Sequence, residues 1–142
     1  MKILIINGVN LGQLGTREVD IYGHLSFEEY LSVLAKEYPD VQIDYVQEDD
    51  EGALAQAIAE ARDYDGIILN PGAYTHTSMA LADAIRTTPC PVYEVHISNL
   101  YNREDSRRRN LTAAHCAGSI VGFGLDGYRL ALEHILKKST PR

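Results

Sequence analysis

The sequence predicts an α/β fold, a three-layer sandwich in which a five-stranded parallel sheet lies between two layers of helices. Short runs rich in Ile and Val alternate along the chain with longer amphipathic stretches, and this pattern is typical of β-α units. The short runs are almost continuously apolar, as expected of strands that are buried on both faces. A length of 142 residues with 45% hydrophobic content is enough for one domain with a single core, so we expect residues 1–142 to form one domain.

Five segments are predicted to be strands. The second of them, V-Q-I-D-Y-V, alternates polar and apolar residues, so we expect it at an edge of the sheet. The expected strand order is the flavodoxin-like 2-1-3-4-5, which places a ligand crevice at the carboxyl ends of strands 1 and 3. The predicted strands are Lys2 to Ile6, Val41 to Val46, Gly66 to Leu69, Val92 to Val95 and Ser119 to Val121.

Four further segments have helical periodicity. Ser26 is followed three residues later by Glu29, a capping box that predicts the start of a helix. The next segment is rich in Ala and carries Leu54, Ile58 and Ala61 on one stripe. The predicted helices are Ser26 to Tyr38, Glu51 to Asp63, Thr77 to Thr87 and Tyr128 to Lys138.

Charge and cysteine content narrow the range of partners. The net charge of −7, from 20 acidic and 13 basic residues, argues against nucleic acid. No apolar run approaches the roughly 18 residues needed to span a bilayer, and Met1 to Asn7 is too short for a secretory signal, so we expect a cytoplasmic protein without a membrane partner. With nucleic acid and membrane both disfavoured, a small molecule is the expected ligand.

The two cysteines, Cys90 and Cys116, form no C-x-x-C pair and are predicted to be buried free thiols.

Polar residues interrupt the apolar pattern just after predicted strands 1, 3 and 4. These strand ends are neighbours in the expected order, so the side chains should converge on one crevice. Glu94 and His96 are two residues apart and should share one face, where the carboxylate could orient the imidazole and raise its basicity. A single histidine could equally belong to the core, and the convergence of the whole set therefore supports a site. The set is Asn7, Asn10, Asn70, His76, Glu94, His96 and Ser98.

The segment from Asn7 to His24 is a second signal, because a connection between a strand and a helix usually takes only about 2 to 6 residues. It contains four glycines together with Arg17 and Tyr22. Such a loop is typical of a lid that carries functional side chains. A plainer interpretation is a loop with a surface arginine and a packed tyrosine.

Competing motifs fit the chain less well. The segment from Gly122 to Gly127 spells G-x-G-x-x-G, but it follows the last predicted strand, so we interpret it as close packing of a helix on a strand rather than as a dinucleotide site. Asn7 and Asn70 occupy the places where a response regulator needs acidic residues. The five histidines lack H-x-x-x-H spacing, so no metal is predicted. The lysines are poorly placed for a Schiff base.

Several blocks of the sequence form a pattern that covers nearly the whole chain. The opening blocks are Asn7-Gly-Val-Asn-Leu11, Leu14-Gly-Thr-Arg-Glu18 and Ile21-Tyr-Gly23. The later blocks are Asn70-Pro-Gly-Ala-Tyr-Thr-His-Thr-Ser78, Glu94-Val-His-Ile-Ser-Asn99, and Ile120-Val-Gly-Phe-Gly-Leu125 with Gly127-Tyr128. Together these blocks resemble the type II 3-dehydroquinate dehydratases.

The resemblance implies a hydro-lyase of the shikimate pathway that needs no cofactor. It would convert 3-dehydroquinate to 3-dehydroshikimate by anti elimination of water through an enolate. Tyr22 would remove the proton from C2, and His96, oriented by Glu94, would protonate the departing hydroxyl. Arg17 would stabilise the transition state, and Asn10 would help to hold a water on the developing enolate.

The resemblance also implies a set of substrate contacts and an assembly. Asn70, His76 and Arg107 would bind ring hydroxyls, and the backbone of Ile97 and Ser98 would bind the ring carboxylate. Asp83 would reach the site of a neighbouring subunit in a homo-oligomer, which in this family is a dodecamer built of trimers.

The chain departs from the family pattern in a few places. Val9 and Val19 stand where the family usually has proline. Arg107 lies in the run R-R-R-N, where the family more often has one arginine followed by histidines, so a neighbouring arginine could be the substrate ligand.

Two alternatives remain open: the same reaction in quinate breakdown, and a flavodoxin-like domain that binds a small molecule in the same crevice without chemistry. The second alternative needs no tyrosine base.

Overall fold

The structure, a computed structural model, describes residues 1–9, 25–102, 104–105 and 109–139. Within these ranges five strands form one parallel sheet in the order β2-β1-β3-β4-β5. The predicted order is therefore confirmed, and so is the edge position of the second strand. The strands are β1 Lys2–Asn7, β2 Gln42–Gln47, β3 Gly66–Asn70, β4 Val92–His96 and β5 Gly118–Val121.

The helices of the described ranges match the predicted ones to within a few residues at each end. Ser26 caps the first helix and accepts a hydrogen bond from the backbone N–H of Glu29 at 3.1 Å, as the capping motif predicted. The last helix starts two residues earlier than predicted, at Asp126, where a carboxylate suits the positive end of the helix dipole. The helices are α1 Phe27–Glu37, α2 Glu51–Glu60, α3 Met79–Thr87 and α4 Asp126–Ser139.

The core consists of two apolar clusters, one on each face of the sheet. Ile3 and Ile5 of β1 contribute to the cluster that includes α1 and α4, whereas Leu4 and Ile6 contribute to the cluster that includes α2 and α3. Successive side chains of a strand point to opposite faces, so a strand covered on both sides must be apolar throughout. The arrangement confirms the predicted three-layer sandwich.

The glycine-rich segment after β5 lies close to the sheet. A Cβ added to Gly127 would lie 3.0 Å from Cγ1 of Val95 and 3.5 Å from Cγ2 of Ile120, so the lack of a side chain here lets the start of α4 lie close to β4 and β5 without displacing Val95. For Gly127, the interpretation of this motif as a packing feature is confirmed.

The two cysteines differ in exposure. Both are free; Cys90 is buried, while Cys116, which follows the short 3-10 turn Ala113–His115, is half-buried. The prediction of a buried thiol is thus right for Cys90 and wrong for Cys116.

Among the helices of the described residues, none combines the length and the apolar character that a membrane span requires.

Candidate active site

Strands β1 and β3 end side by side in two buried asparagines, Asn7 and Asn70, which are register partners. The hydroxyl of Tyr128, on α4, lies between them. It donates to Oδ1 of Asn7 at 2.7 Å and accepts from Nδ2 of Asn70 at 3.0 Å. Burial raises the pKa of Tyr128 above its ordinary value, so the hydroxyl keeps its proton and can both donate and accept. These three side chains are called the crevice floor below.

The backbone around Asn70 fixes this side chain further. Oδ1 of Asn70 accepts from the N–H of Gly72 at 3.1 Å, and its backbone carbonyl accepts from the N–H of Gly8 at 2.8 Å. Gly72 has a φ of 64°, in the left-handed region that favours glycine. A Cβ at this position would also lie only 2.7 Å from the carbonyl oxygen of Val9. A primary amide has two donor hydrogens and two lone pairs, so Asn70 retains the chemical capacity to bind a ligand hydroxyl.

Strand β4 ends in a contact between a carboxylate and an imidazole. Oε2 of Glu94 lies 2.9 Å from Nε2 of His96, although the N–H direction is not that of a well-aligned hydrogen bond. Glu94 has no exposed surface and His96 is 4% exposed. The predicted contact between these two side chains is present.

The carboxylate of Glu94 has two further partners, and both donate hydrogen bonds to it. Nδ2 of Asn110 donates to Oε2 at 2.7 Å, and the hydroxyl of Thr112 donates to Oε1. Burial alone would raise the pKa of Glu94, but His96, Asn110 and Thr112 together outweigh burial and hold that pKa below its usual value. The site therefore contains a buried carboxylate that remains ionised at neutral pH.

His76 lies in a 3-10 turn, Gly72–His76, that directly follows β3 and precedes α3. Its Nδ1 is within hydrogen-bond distance of the backbone carbonyl oxygen of Arg109. A carbonyl can only accept, so Nδ1 must carry the proton, and in the neutral ring Nε2 is then the acceptor.

The backbone just beyond His96 forms a bend that is held by the glycine-rich segment. The carbonyls of His96 and Ile97 accept hydrogen bonds from the N–H groups of Gly122 and Gly124 at 3.0 and 2.9 Å. Ile97 is buried and Ser98 half-buried. The bend therefore fixes the backbone of Ile97 and Ser98 at the carboxyl end of β4.

The expected site residues lie in different parts of the fold. Those at the carboxyl ends of β3 and β4 or in the segments that directly follow them are Asn70, His76, Glu94, His96, Ile97 and Ser98. Asp83 lies elsewhere, exposed on α3 with its Oδ1 3.7 Å from Nη2 of Arg86. Asn10, Arg17, Tyr22 and Arg107 lie outside the described residues. In the part of the chain that the structure describes, no group of three or more His, Cys, Asp or Glu side chains could hold a metal ion.

Sequence patterns alone missed Asn110, Thr112 and Tyr128 as members of the site. Asn110 and Thr112 lie in irregular backbone before β5, where no periodicity marks a side chain as buried. One signal was available: Glu94 falls inside a buried strand, and a buried carboxylate requires donors from elsewhere in the chain.

Comparison with known proteins shows which family has this fold. The chain matches the family described as dehydroquinase class II over residues 1–136. The chain belongs to this family. Among the class II dehydroquinases, the structure from Butyrivibrio crossotus DSM 2876 superimposes with a TM-score of 0.90 at 44% identity, covering 96% of this chain and 97% of that one. The structure from Propionibacterium acnes gives a TM-score of 0.90 at 37% identity, covering 96% of both chains.

Curated relatives agree with this assignment. The 3-dehydroquinate dehydratase of Bacillus cereus strain AH187 is 48% identical over 140 residues, which is 96% of each chain. The resemblance seen in the sequence blocks is therefore confirmed, and so is the predicted enzyme class, a dehydratase of the class II dehydroquinase family.

Proposed function

We propose that this chain removes water from 3-dehydroquinate by anti elimination in the shikimate pathway, with Tyr22 as the base and His96 as the acid. The proposal rests on the buried contact between Glu94 and His96 at the carboxyl end of β4. A carboxylate that lies this close to an imidazole can set the orientation of the ring. Membership of the class II dehydroquinases supports 3-dehydroquinate as the substrate.

The base acts on the carbon next to the ring carbonyl. Tyr22, as its phenolate, takes the proton from C2, and the electron pair moves to the carbonyl oxygen as an enolate. Asn10 holds a water against that oxygen, and the charge of Arg17 stabilises the transition state, as in other sites where charge develops on oxygen.

The acid completes the reaction. The enolate collapses to a double bond between C1 and C2 and expels the C1 hydroxyl, which leaves as water once His96 has given it a proton. Elimination therefore consumes one proton at His96 and deposits one on Tyr22, and no electrons leave or enter the site.

The remaining side chains bind the ring. Asn70, His76 and Arg107 bind its hydroxyls, and the backbone of Ile97 and Ser98 binds its carboxylate. Asp83, which is exposed on α3, serves the site of a neighbouring subunit. We further propose that residues 1–142 act as one catalytic domain within a cytoplasmic homo-oligomer, a dodecamer of trimers.

A direct assay tests the proposed reaction. Purified protein mixed with 3-dehydroquinate should produce the absorbance of a conjugated enone, because dehydration places the new double bond beside the carbonyl. His96→Asn should reduce the rate by about 10²- to 10⁴-fold, the usual contribution of a general acid. His134→Asn is the matched control, since His134 is exposed on α4. A folded wild-type protein that forms no enone would refute the proposed activity.

A further inference from the structure

Glu94 is held from three sides, and two of the groups that hold it belong to one short segment. Asn110 donates to Oε2 of Glu94 at 2.7 Å and Thr112 donates to Oε1. The third group is His96, 2.9 Å from Oε2. Each carboxylate oxygen therefore has a neutral donor, and these two hydrogen bonds fix the position of the carboxylate beside the imidazole.

The segment that carries Asn110 and Thr112 is itself fixed. Oδ1 of Asn110 accepts from the backbone N–H groups of Thr112 and Ala113, each at 2.9 Å. The N–H of Leu111 donates to the carbonyl of Thr75 at 2.9 Å. Thr112 has no exposed surface. The two donors thus approach Glu94 from a segment whose own backbone is fixed by hydrogen bonds.

We propose that Thr112 and Asn110 are positioning residues that act through Glu94 to aim the imidazole of His96 at the departing hydroxyl. The proposal rests on the function proposed above and extends it to two residues outside the set expected from the sequence. If either donor is lost, Glu94 can rotate about its terminal torsion, which is broad and weakly restrained, and the imidazole loses its fixed partner.

Two substitutions at Thr112 separate a role of the hydroxyl from a role in packing. Thr112→Val keeps the shape of the side chain but removes the hydroxyl, whereas Thr112→Ser keeps the hydroxyl and removes a methyl group. We expect kcat of the Val variant to fall roughly ten- to hundredfold, as for the loss of a hydrogen bond to a charged group, with KM changed less than about twofold. The Ser variant should retain most of the wild-type kcat.

A double-mutant cycle tests whether the effect passes through Glu94. In a Glu94→Gln background, Thr112→Val should change kcat by less than about twofold, because the carboxylate on which Thr112 acts is gone. If Thr112→Val does not fold, Asn110→Ala serves as the second variant. It should reduce kcat in the wild-type background, and beside Glu94→Gln it should show only the smaller effect of losing the hydrogen bonds that Oδ1 accepts from Thr112 and Ala113.

The outcomes distinguish this proposal from the one on which it rests. Active wild-type enzyme together with an unchanged kcat in folded Thr112→Val would overturn the positioning role and leave the proposed reaction intact. The positioning role is also wrong if Thr112→Ser lowers kcat more than Thr112→Val does. It is wrong as well if the fold reductions in kcat caused by Thr112→Val and Glu94→Gln simply multiply in the double variant.

Discussion

Nδ2 of Asn70 donates a hydrogen bond to the hydroxyl of Tyr128 at 3.0 Å, and thereby connects the end of β3 to a residue 58 positions later on α4. The same hydroxyl donates to Asn7, so a single phenol satisfies amides at the ends of two strands. This hydroxyl therefore joins the three side chains of the crevice floor.

Tyr128→Phe should destabilise the fold by roughly 1–3 kcal/mol, because it leaves polar atoms of Asn7 and Asn70 buried without their partner. Urea unfolding followed by circular dichroism gives the free energy of unfolding. Tyr30→Phe is the matched control, since Tyr30 lies in the same apolar cluster but its hydroxyl is not a partner of either asparagine in the described structure. Equal destabilisation by the two variants would show that the floor does not depend on this hydroxyl.

Tyr22→Phe should reduce kcat by about 10²-fold or more while the fold and much of the ligand affinity remain, because only the proposed base is removed. Steady-state kinetics and calorimetric binding of a substrate analogue measure the two effects separately. A kcat close to wild type would mean that Tyr22 is not the base.

Arg17→Ala should lower kcat and move the acidic limb of the pH–rate profile to higher pH. An unperturbed tyrosine has a pKa of about 10, so a tyrosine base requires a nearby positive charge that lowers this pKa. Activity of such a base rises with pH through its pKa, and removal of the charge raises that pKa. If kcat falls but the acidic limb stays at the same pH, Arg17 does not tune the base.

The pKa of Glu94 is held below the ordinary value of 4.5, which predicts the pH dependence of its contribution to stability. As the pH falls, the unfolded chain takes up the proton first, so this contribution is complete above about pH 4.5 and is lost as the pH falls through the lower pKa of the folded protein. The difference in free energy of unfolding between wild type and Glu94→Gln should therefore narrow from pH 6 to pH 3. A constant difference across this range would contradict the lowered pKa.

The proposed role of Asp83 across a subunit boundary predicts complementation. Asp83→Ala and Tyr22→Phe should each be nearly inactive alone, but subunits mixed by reversible denaturation should regain activity at sites that combine Tyr22 from one chain with Asp83 from the other. Light scattering should show an oligomer in every sample. An active wild-type monomer at assay concentration would contradict the shared site.

Much of the fold and part of the site could be predicted from local patterns. The strand order was predictable because apolar runs and helical segments alternate, and the contact between Glu94 and His96 followed from a spacing of two residues on a strand. Asn110 and Thr112 contact Glu94 from 16 and 18 positions away, and Tyr128 contacts Asn7 from 121 positions away. No local periodicity encodes such contacts, because they depend on how the finished layers pack.

The separation between Asn7 and Tyr128 also constrains when the crevice floor can form. Asn7 emerges early from the ribosome, while the hydroxyl it requires belongs to a helix that begins only at Asp126. An N-terminal fragment that ends before α4 lacks the phenol that its two asparagines share. Closing a loop of this length also costs chain entropy. The crevice floor can therefore be completed only after α4 has been synthesised.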